Sequence, residues 1–491
     1  MQKTPNILFL MCDQLTANVL SCYGGPVSAP NINRLAQRGM VFETAYCANP
    51  VCSPSRASII TGQYPHRHGL VHNTRKQVYP EGPAARTPDS PTAEGLLHDA
   101  GYRTTHAGKW HISGPVDLAC YPTMYREDME YHAELQPFFD SVESSGKPYM
   151  EWYNWRLPVD INPAYKAAVS AVPKEKMAPG ESPAPGFHRT MGVLEMPLED
   201  MFEYRMATRT IEAIQQADGP FMATCSFVLP HDPNAVPREY YNAVPDFELP
   251  GGSIDPLYHK EFSCAFPRDA GPDFLREFRR IYLASCMLVD DQVGRILDAL
   301  DASGKAEDTV IIFTADHGEF TAQRGCFWKN TWSFYDEVAT VPLIFAGPGI
   351  QQGRYNGIVE LVDLMPTILD VCGLPIPAET DGVSLKPVLQ GGSIDKDQAM
   401  CVRLFMPPDG RLRPHTCDDR EHFMLRDGHY KYFYHNDPFG GLVGRVLYNL
   451  EDDPGEENNL IESEPGKAAE MQEKLRVKLA GTGYTLNEKL T

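Results

Sequence analysis

Short apolar runs alternate with amphipathic stretches along the first three quarters of the chain. The runs at 6–12, 40–47, 102–107, 221–228, 309–315 and 341–346 have the length and composition of buried strands. The clearest helix spans 274–301, where Val289, Val293, Ile296, Leu297 and Leu300 recur on one face. Further helices are predicted at 31–38, 54–61, 91–99, 201–216 and 363–371. This alternation predicts an α/β fold, with a large mixed, mostly parallel sheet sandwiched by helices. Functional loops of such sheets lie beyond the carboxyl ends of the strands. Asp13-Gln14, Lys109-Trp110-His111, His231-Asp232 and Asp316-His317 each follow a predicted strand, so the pattern brings them to one edge.

Over about 112–200 the alternation dissolves into a segment rich in Tyr121, Tyr125, Tyr131, Phe138, Phe139, Trp152, Tyr153 and Trp155. Such an insertion either walls a pocket or forms a satellite hydrophobic cluster under long loops. A second irregular stretch, about 232–272, reads as another rim. Past Gly373-Leu374-Pro375 the character changes again. Antiparallel strands are predicted at 399–405, 421–426 and 429–435, the last two joined by an Asp427-Gly428 hairpin turn; the run 446–450, an acidic Pro-Gly loop and a closing helix near 465–480 follow. The chain therefore divides into an N-terminal α/β domain, 1–375, and a smaller C-terminal α+β subdomain, 376–491.

A net charge of -21 leaves no basic surplus to neutralise phosphates, which argues against nucleic acid and anionic membranes as partners. No apolar run approaches the roughly 20 residues that cross a bilayer. The N-terminus leads straight into the first strand without the pattern of a signal peptide. The 12 cysteines are irregularly spaced, and several sit inside apolar runs, as expected of reduced thiols. Together these features predict a cytoplasmic protein. Oligomeric state is not legible, and a homo-oligomer is compatible with the chain.

The stretch 51–62 reads as a helix start. Ser53 suits the N-cap, Pro54 the first helical position and Gly62 the break. Cys52 then lies just outside a helix N-terminus, which favours negative charge, with Arg56 one turn on and able to lean back. A buried structural cysteine fits the same pattern.

Cys52-Ser53-Pro54-Ser55-Arg56, with Ala57-Ser58 and Thr61-Gly62 behind it, resembles the signature of the type I sulfatases of the alkaline phosphatase superfamily. Gly108-Lys109-Trp110-His111 and the run Leu447 to Leu460 are similar to further motifs of that family, with Asn449 where Asp is more usual. The resemblance implies an alkaline phosphatase-like fold and hydrolysis of a sulfate monoester to an alcohol and sulfate. It implies that a formylglycine-generating maturation enzyme oxidises Cys52 to formylglycine, whose hydrated form carries the sulfo-enzyme intermediate. It also implies one divalent cation held by Asp13, Gln14, Asp316 and His317, with residue 52 completing the shell. Arg56, Lys109, His111, His231 and Lys329 correspond to the cationic and proton-transferring groups: Arg56 on the alkoxide side, Lys109 and Lys329 on sulfate oxygens, His231 as acid and His111 as base. Ordinary structural roles exist for each: turn aspartates, solvated lysines, a turn histidine, a core histidine. His66, His68, His72 and His106 add local positive potential.

Asp-Gln and Asp-His stand where many sulfatases have Asp-Asp and Asp-Asn. That set resembles choline sulfatases and phosphonate monoester hydrolases. Calcium is the expected ion, with manganese or magnesium as alternatives, since an imidazole softens the site. The alternative activity is a phosphonate monoester or phosphodiester hydrolase with the same nucleophile, against which the Lys109-x-His111 pair argues. A catalytically silent binder of sulfated ligands would not need the full set. The expected substrate is a small sulfated organic molecule: a sugar, aryl or choline ester.

Overall fold

The computed structural model describes residues 4–71, 73, 90–112, 123–126, 159–161, 191–194, 198–231, 234–258, 272–329, 333–404, 421–437 and 442–486. In chain order its strands are β1 (Asn6–Asp13), β2 (Gly39–Tyr46), β3 (Arg103–Gly108), β4 (Thr123–Arg126), β5 (Val159–Ile161), β6 (Met191–Leu194), β7 (Phe221–Pro230) and β8 (Asn234–Pro237). Then follow β9 (Thr309–Ala315), β10 (Thr340–Ala346), β11 (Gly353–Glu360), β12 (Gln398–Leu404), β13 (Glu421–Asp427), β14 (Tyr430–Asp437) and β15 (Leu442–Asn449).

The main sheet has eight strands in the order β11-β2-β10-β9-β1-β7-β3-β4. Every neighbouring pair is parallel except the two that include β10, as the alternating pattern predicts. β11 was not legible in the pattern. It is a sheet edge whose first half is partly exposed, so it lacks a continuous apolar run. β1 is central, flanked by β7 and β9, with Ile7, Leu8, Leu10 and Cys12 fully buried. The long helix Pro272–Ala302 presents Val289, Val293, Ile296, Leu297 and Leu300 to the core, each at most 1% exposed. Its Asp290 accepts from the backbone N–H of Asn31 and Ile32, holding the start of α1 (Pro30–Arg38).

The smaller sheet, β12-β13-β14-β15, is antiparallel, and the helix Pro465–Gly481 covers it with Met471, Leu475 and Leu479. The two sheets are joined by polar contacts as well as apolar ones. Val402 N–H donates to the Ala48 carbonyl at 2.8 Å, and Met400 N–H donates to Glu360 Oε1 at 2.7 Å. The Leu447–Leu460 run closes on itself through Leu460 N–H to the Leu447 carbonyl at 2.7 Å. Asn449 serves as a turn residue, donating to Asp452 and accepting from Glu451 N–H.

The aromatic insertion lies mostly outside the described residues. Part of the second irregular stretch is described, and two of its tyrosines are anchored inward. Tyr240 bonds Asp291 of the long helix, and Tyr258 is fully buried against Tyr335 and His435 of the smaller sheet's core. Apolar bodies with one hydroxyl find both packing and a partner there.

Candidate active site

The parallel register explains how distant residues meet. Asp13 ends β1, and Asp316 follows β9 one strand away, its N–H bonded to the Cys12 carbonyl at 3.1 Å. Lys109 follows β3 and His231 follows β7 at the same edge. The backbone between Gly108 and Lys109 runs against β7, Lys109 N–H donating to the Ser226 carbonyl at 2.9 Å. Gly108 has φ +105°, and a Cβ there would stand 2.0 Å from that carbonyl oxygen, so only glycine fits.

The helix α2 (Cys52–Thr61) delivers the cysteine, with one correction to the expected cap. The extended Val51 takes the N-cap position, the helix starts at Cys52 itself, and Ser53 makes no side-chain cap. Asn73 Oδ1 instead accepts Ser53 N–H at 3.0 Å. All ten residues of α2 are buried, which Ala and Ser at its close-packed positions permit.

Cys52 Sγ lies 3.0 Å from Lys329 Nζ, 3.3 Å from His317 Nε2, 3.6 Å from Asp13 Oδ1 and 3.7 Å from Lys109 Nζ. One ligand atom from each of Asp13, Cys52, Asp316 and His317 falls within 4.8 Å of every other, and all four residues are buried. Gln14 joins them: its Oε1 accepts from Lys329 Nζ at 2.8 Å. His231 Nε2 lies 3.8 Å from Asp13 Oδ1 and keeps 16% of its side chain exposed. His111 hydrogen-bonds Cys52.

Arg56 departs from its expected place on the nucleophile. Nε donates to Asp316 Oδ2 at 2.7 Å, Nη2 to Asp13 Oδ2 at 3.0 Å, and Nη1 to the Lys109 carbonyl and Ser226 Oγ at 2.7 and 2.8 Å. It is 1% exposed. A guanidinium so committed is a bracket between two carboxylates, not a group waiting for substrate. Ser226, inside an apolar strand, carried no signal of this role. His66 and His68 also differ from expectation. Burial pushes them down to about 4 and about 3, so neither adds positive potential at neutral pH. His72 lies outside the described residues.

Electrostatics favour anions at the sulfur. Burial opposes a thiolate, but Lys109, Lys329, His317 and the His111 hydrogen bond outweigh it and hold the Cys52 thiol well below its ordinary range. Burial and the neighbouring sulfur likewise oppose ionisation of Asp13, yet Lys109, His231 and Lys329 keep it well below the usual carboxylate range. Burial, followed by Lys109, lowers His111 and leaves it a neutral imidazole.

The donor set suits a divalent cation. Asp13 and Asp316 offer hard carboxylate oxygens and His317 a ring nitrogen, all buried and converging on one point with Cys52. His317 Nδ1 donates to the Gly318 carbonyl at 2.9 Å, since a carbonyl only accepts, which leaves Nε2 as the ring atom that faces the cluster.

A family model described as Sulfatase matches residues 5–374. The chain belongs to the sulfatase family. A second model, N-sulphoglucosamine sulphohydrolase, C-terminal, matches residues 324–483 of this sulfatase. A choline-sulfatase of Rhizobium meliloti is 28% identical over 478 residues, covering 94% of this chain and 83% of that protein. An arylsulfatase of Clostridium perfringens is 26% identical over an alignment of 512 residues, covering 99% and 97%. The crystal structure of phosphonate monoester hydrolase of Agrobacterium radiobacter superposes with a TM-score of 0.70 at 22% identity, covering 97% of this chain and 96% of that one. That likeness speaks for the fold. Membership makes this sulfatase a sulfuric ester hydrolase. Among the described residues, no helix is long and apolar enough to cross a membrane.

Proposed function

We propose that this sulfatase hydrolyses the monoester of a small sulfated organic molecule through formylglycine at position 52, installed by a formylglycine-generating maturation enzyme. The observation that carries the reading is the surrounding of Cys52 Sγ by Lys329, His317, Asp13 and Lys109 within 3.7 Å. A formylglycine hydrate supplies one oxygen to take the sulfuryl group and a second hydroxyl whose deprotonation expels sulfate, which serine lacks.

Asp13, Gln14, Asp316 and His317, with residue 52, would hold the cation, for which we propose calcium. When bound, such an ion acts as a Lewis acid toward sulfuryl oxygens. Lys109 and Lys329 bind the sulfate oxygens and stabilise the charge that develops on them. His231 protonates the leaving alcohol oxygen, and its partial exposure suits a group that must reach substrate. His111, neutral and bonded to residue 52, takes a proton from the remaining hydroxyl. Arg56 holds the two carboxylates in register.

The Gln14/His317 set favours phosphonate ester hydrolysis as a second reading. Against it, Lys109 Nζ sits 2.6 Å from Asp13 and His111 on the sulfur, so the Lys-x-His pair belongs to the site. Buried thiols such as Cys12, Cys225, Cys286 and Cys401 support a reducing, cytoplasmic location. The test is peptide mass spectrometry of residue 52 after co-expression with a formylglycine-generating enzyme, with parallel assays on aryl sulfate and aryl phosphonate esters. Conversion with sulfate ester turnover dominant is expected. Unconverted, inactive protein would overturn the reading, and dominant phosphonate turnover would exchange it for the second.

A further inference from the structure

We infer that Glu319 is a positioning residue that fixes which end of the Gln14 amide faces the cation. The inference rests on the reading of Gln14 as a ligand. A glutamine offers two nearly isosteric ends, and only the oxygen can ligate a hard cation. In this site each end meets a partner with a single hydrogen-bonding role. Lys329 Nζ, which only donates, lies 2.8 Å from Oε1. The Glu319 carboxylate receives Nε2 on its Oε2. Its Oε1 accepts Thr321 N–H at 3.0 Å, so the carboxylate cannot turn away without losing that bond.

The backbone of Gln14 is equally constrained. Its φ is +65°, its N–H donates to Asp316 Oδ1 at 3.0 Å, and its carbonyl accepts the Tyr282 hydroxyl at 2.7 Å. The remaining freedom is the flip of the amide, and Glu319 removes it. Glu319 is fully buried and, among the described residues, has no Lys or Arg within ion-pairing distance. A buried carboxylate in that situation is costly unless a nearby charge compensates it. Lys329, on the other end of the Gln14 amide, offsets part of that cost, and a cation held beside Gln14 and His317 would offset more.

The pairing also accounts for glutamine at position 14. An aspartate there would set a second carboxylate near Glu319, and two such groups in a buried site cannot both ionise without cost. Gln14 and Glu319 therefore act as one unit, and Asp at 14 requires a donor at 319.

The experiment is calorimetric titration of chelator-stripped protein with Ca2+, run on the parent, Glu319→Gln, Gln14→Asp and the double variant Gln14→Asp/Glu319→Gln, each checked for folding by its thermal transition. Outer-layer partners of metal ligands change affinity by about 10–100-fold, so Glu319→Gln should weaken Ca2+ binding by that factor. Gln14→Asp alone should bind more weakly despite its added charge, and the double variant should regain at least about tenfold over it. Parent-like affinity in Glu319→Gln overturns the inference while leaving Gln14 a ligand. Tighter binding by Gln14→Asp, with no gain in the double variant, overturns it as well. Should Glu319→Gln not fold, the Gln14→Asp comparison with the double variant decides alone. A parent that binds no Ca2+, Mn2+ or Mg2+ sinks the metal reading itself and the inference with it.

Discussion

Arg56 Nε stands 2.7 Å from Asp316 Oδ2, and the same guanidinium reaches Asp13, so one buried cation ties the ends of β1 and β9 together. Its removal leaves two carboxylates facing each other without water. Breaking a buried pair by deleting one partner costs about 3–5 kcal/mol. Arg56→Ala is expected to lower the thermal midpoint of chelator-treated protein by several degrees, with part of the loss restored by added Ca2+. Arg56→Lys should recover little, since a point charge cannot bridge as a fork does. Calorimetric scans with and without Ca2+ check this.

Lys329 lies closest to the sulfur among the charged groups. In unconverted protein free of metal, Cys52 should be ionised at neutral pH, and Lys329→Ala should move its titration upward. Thiolate ultraviolet absorbance followed against pH measures both. A titration in the ordinary cysteine range for the parent would contradict the site's electrostatics.

If His231 protonates the departing alcohol, its loss matters most where the alcohol is a poor leaving group. His231→Asn is expected to lower kcat by about 10²–10⁴-fold on an alkyl sulfate and far less on a nitrophenyl sulfate. Equal losses on both would assign His231 to binding instead.

Two histidines remote from chemistry set an acid limit on stability. Burial pushes His68 down to about 3, with His66 adding to the effect, and burial with Arg445 and Arg403 does the same to His435. The unfolded chain protonates near 6.5, so below that pH it takes up protons that the fold excludes. Stability is intact above about 6.5 and falls by about 1.4 kcal/mol per pH unit for each group as pH drops toward about 3. His68→Gln keeps a partner for Ser58 Oγ and should make the decline of thermal midpoint below about pH 6.5 shallower. An unchanged slope would show that His68 is charged in the fold.

Much of this was readable in advance because buried parallel strands are written as continuous apolar runs. Each run ended where a polar dipeptide began, and parallel register did the rest, carrying Asp13 and Asp316 together across 303 positions of chain. The helix begins at Cys52, two residues before the start that Ser53 as N-cap implies, because Asn73 accepts the Ser53 N–H, a choice made by tertiary packing rather than local preference. The grip of Arg56 on the two carboxylates is not legible in the sequence for a related reason. Its partners Ser226 and the Lys109 carbonyl are a strand serine and a backbone oxygen, neither of which announces itself in a string of letters. Glu319 stood in plain view beside His317, but only the Gln14 contact gives it meaning. Lys329, marked by little more than its place after a Phe-Trp pair, reaches the sulfur through a loop whose Trp328 has φ +62°.

Lys431 has no exposed surface, and its ammonium is shared by Asp336, ahead of β10, and Glu456, beyond β15. Tyr46, at the end of β2, bonds the same Asp336. Cutting the polypeptide after residue 375 would orphan these charges and strip the cover from Ala48, four positions before the cysteine. The fragment 1–375 would therefore be no miniature enzyme: the seam between the two sheets is part of what keeps the loop before Cys52 in shape.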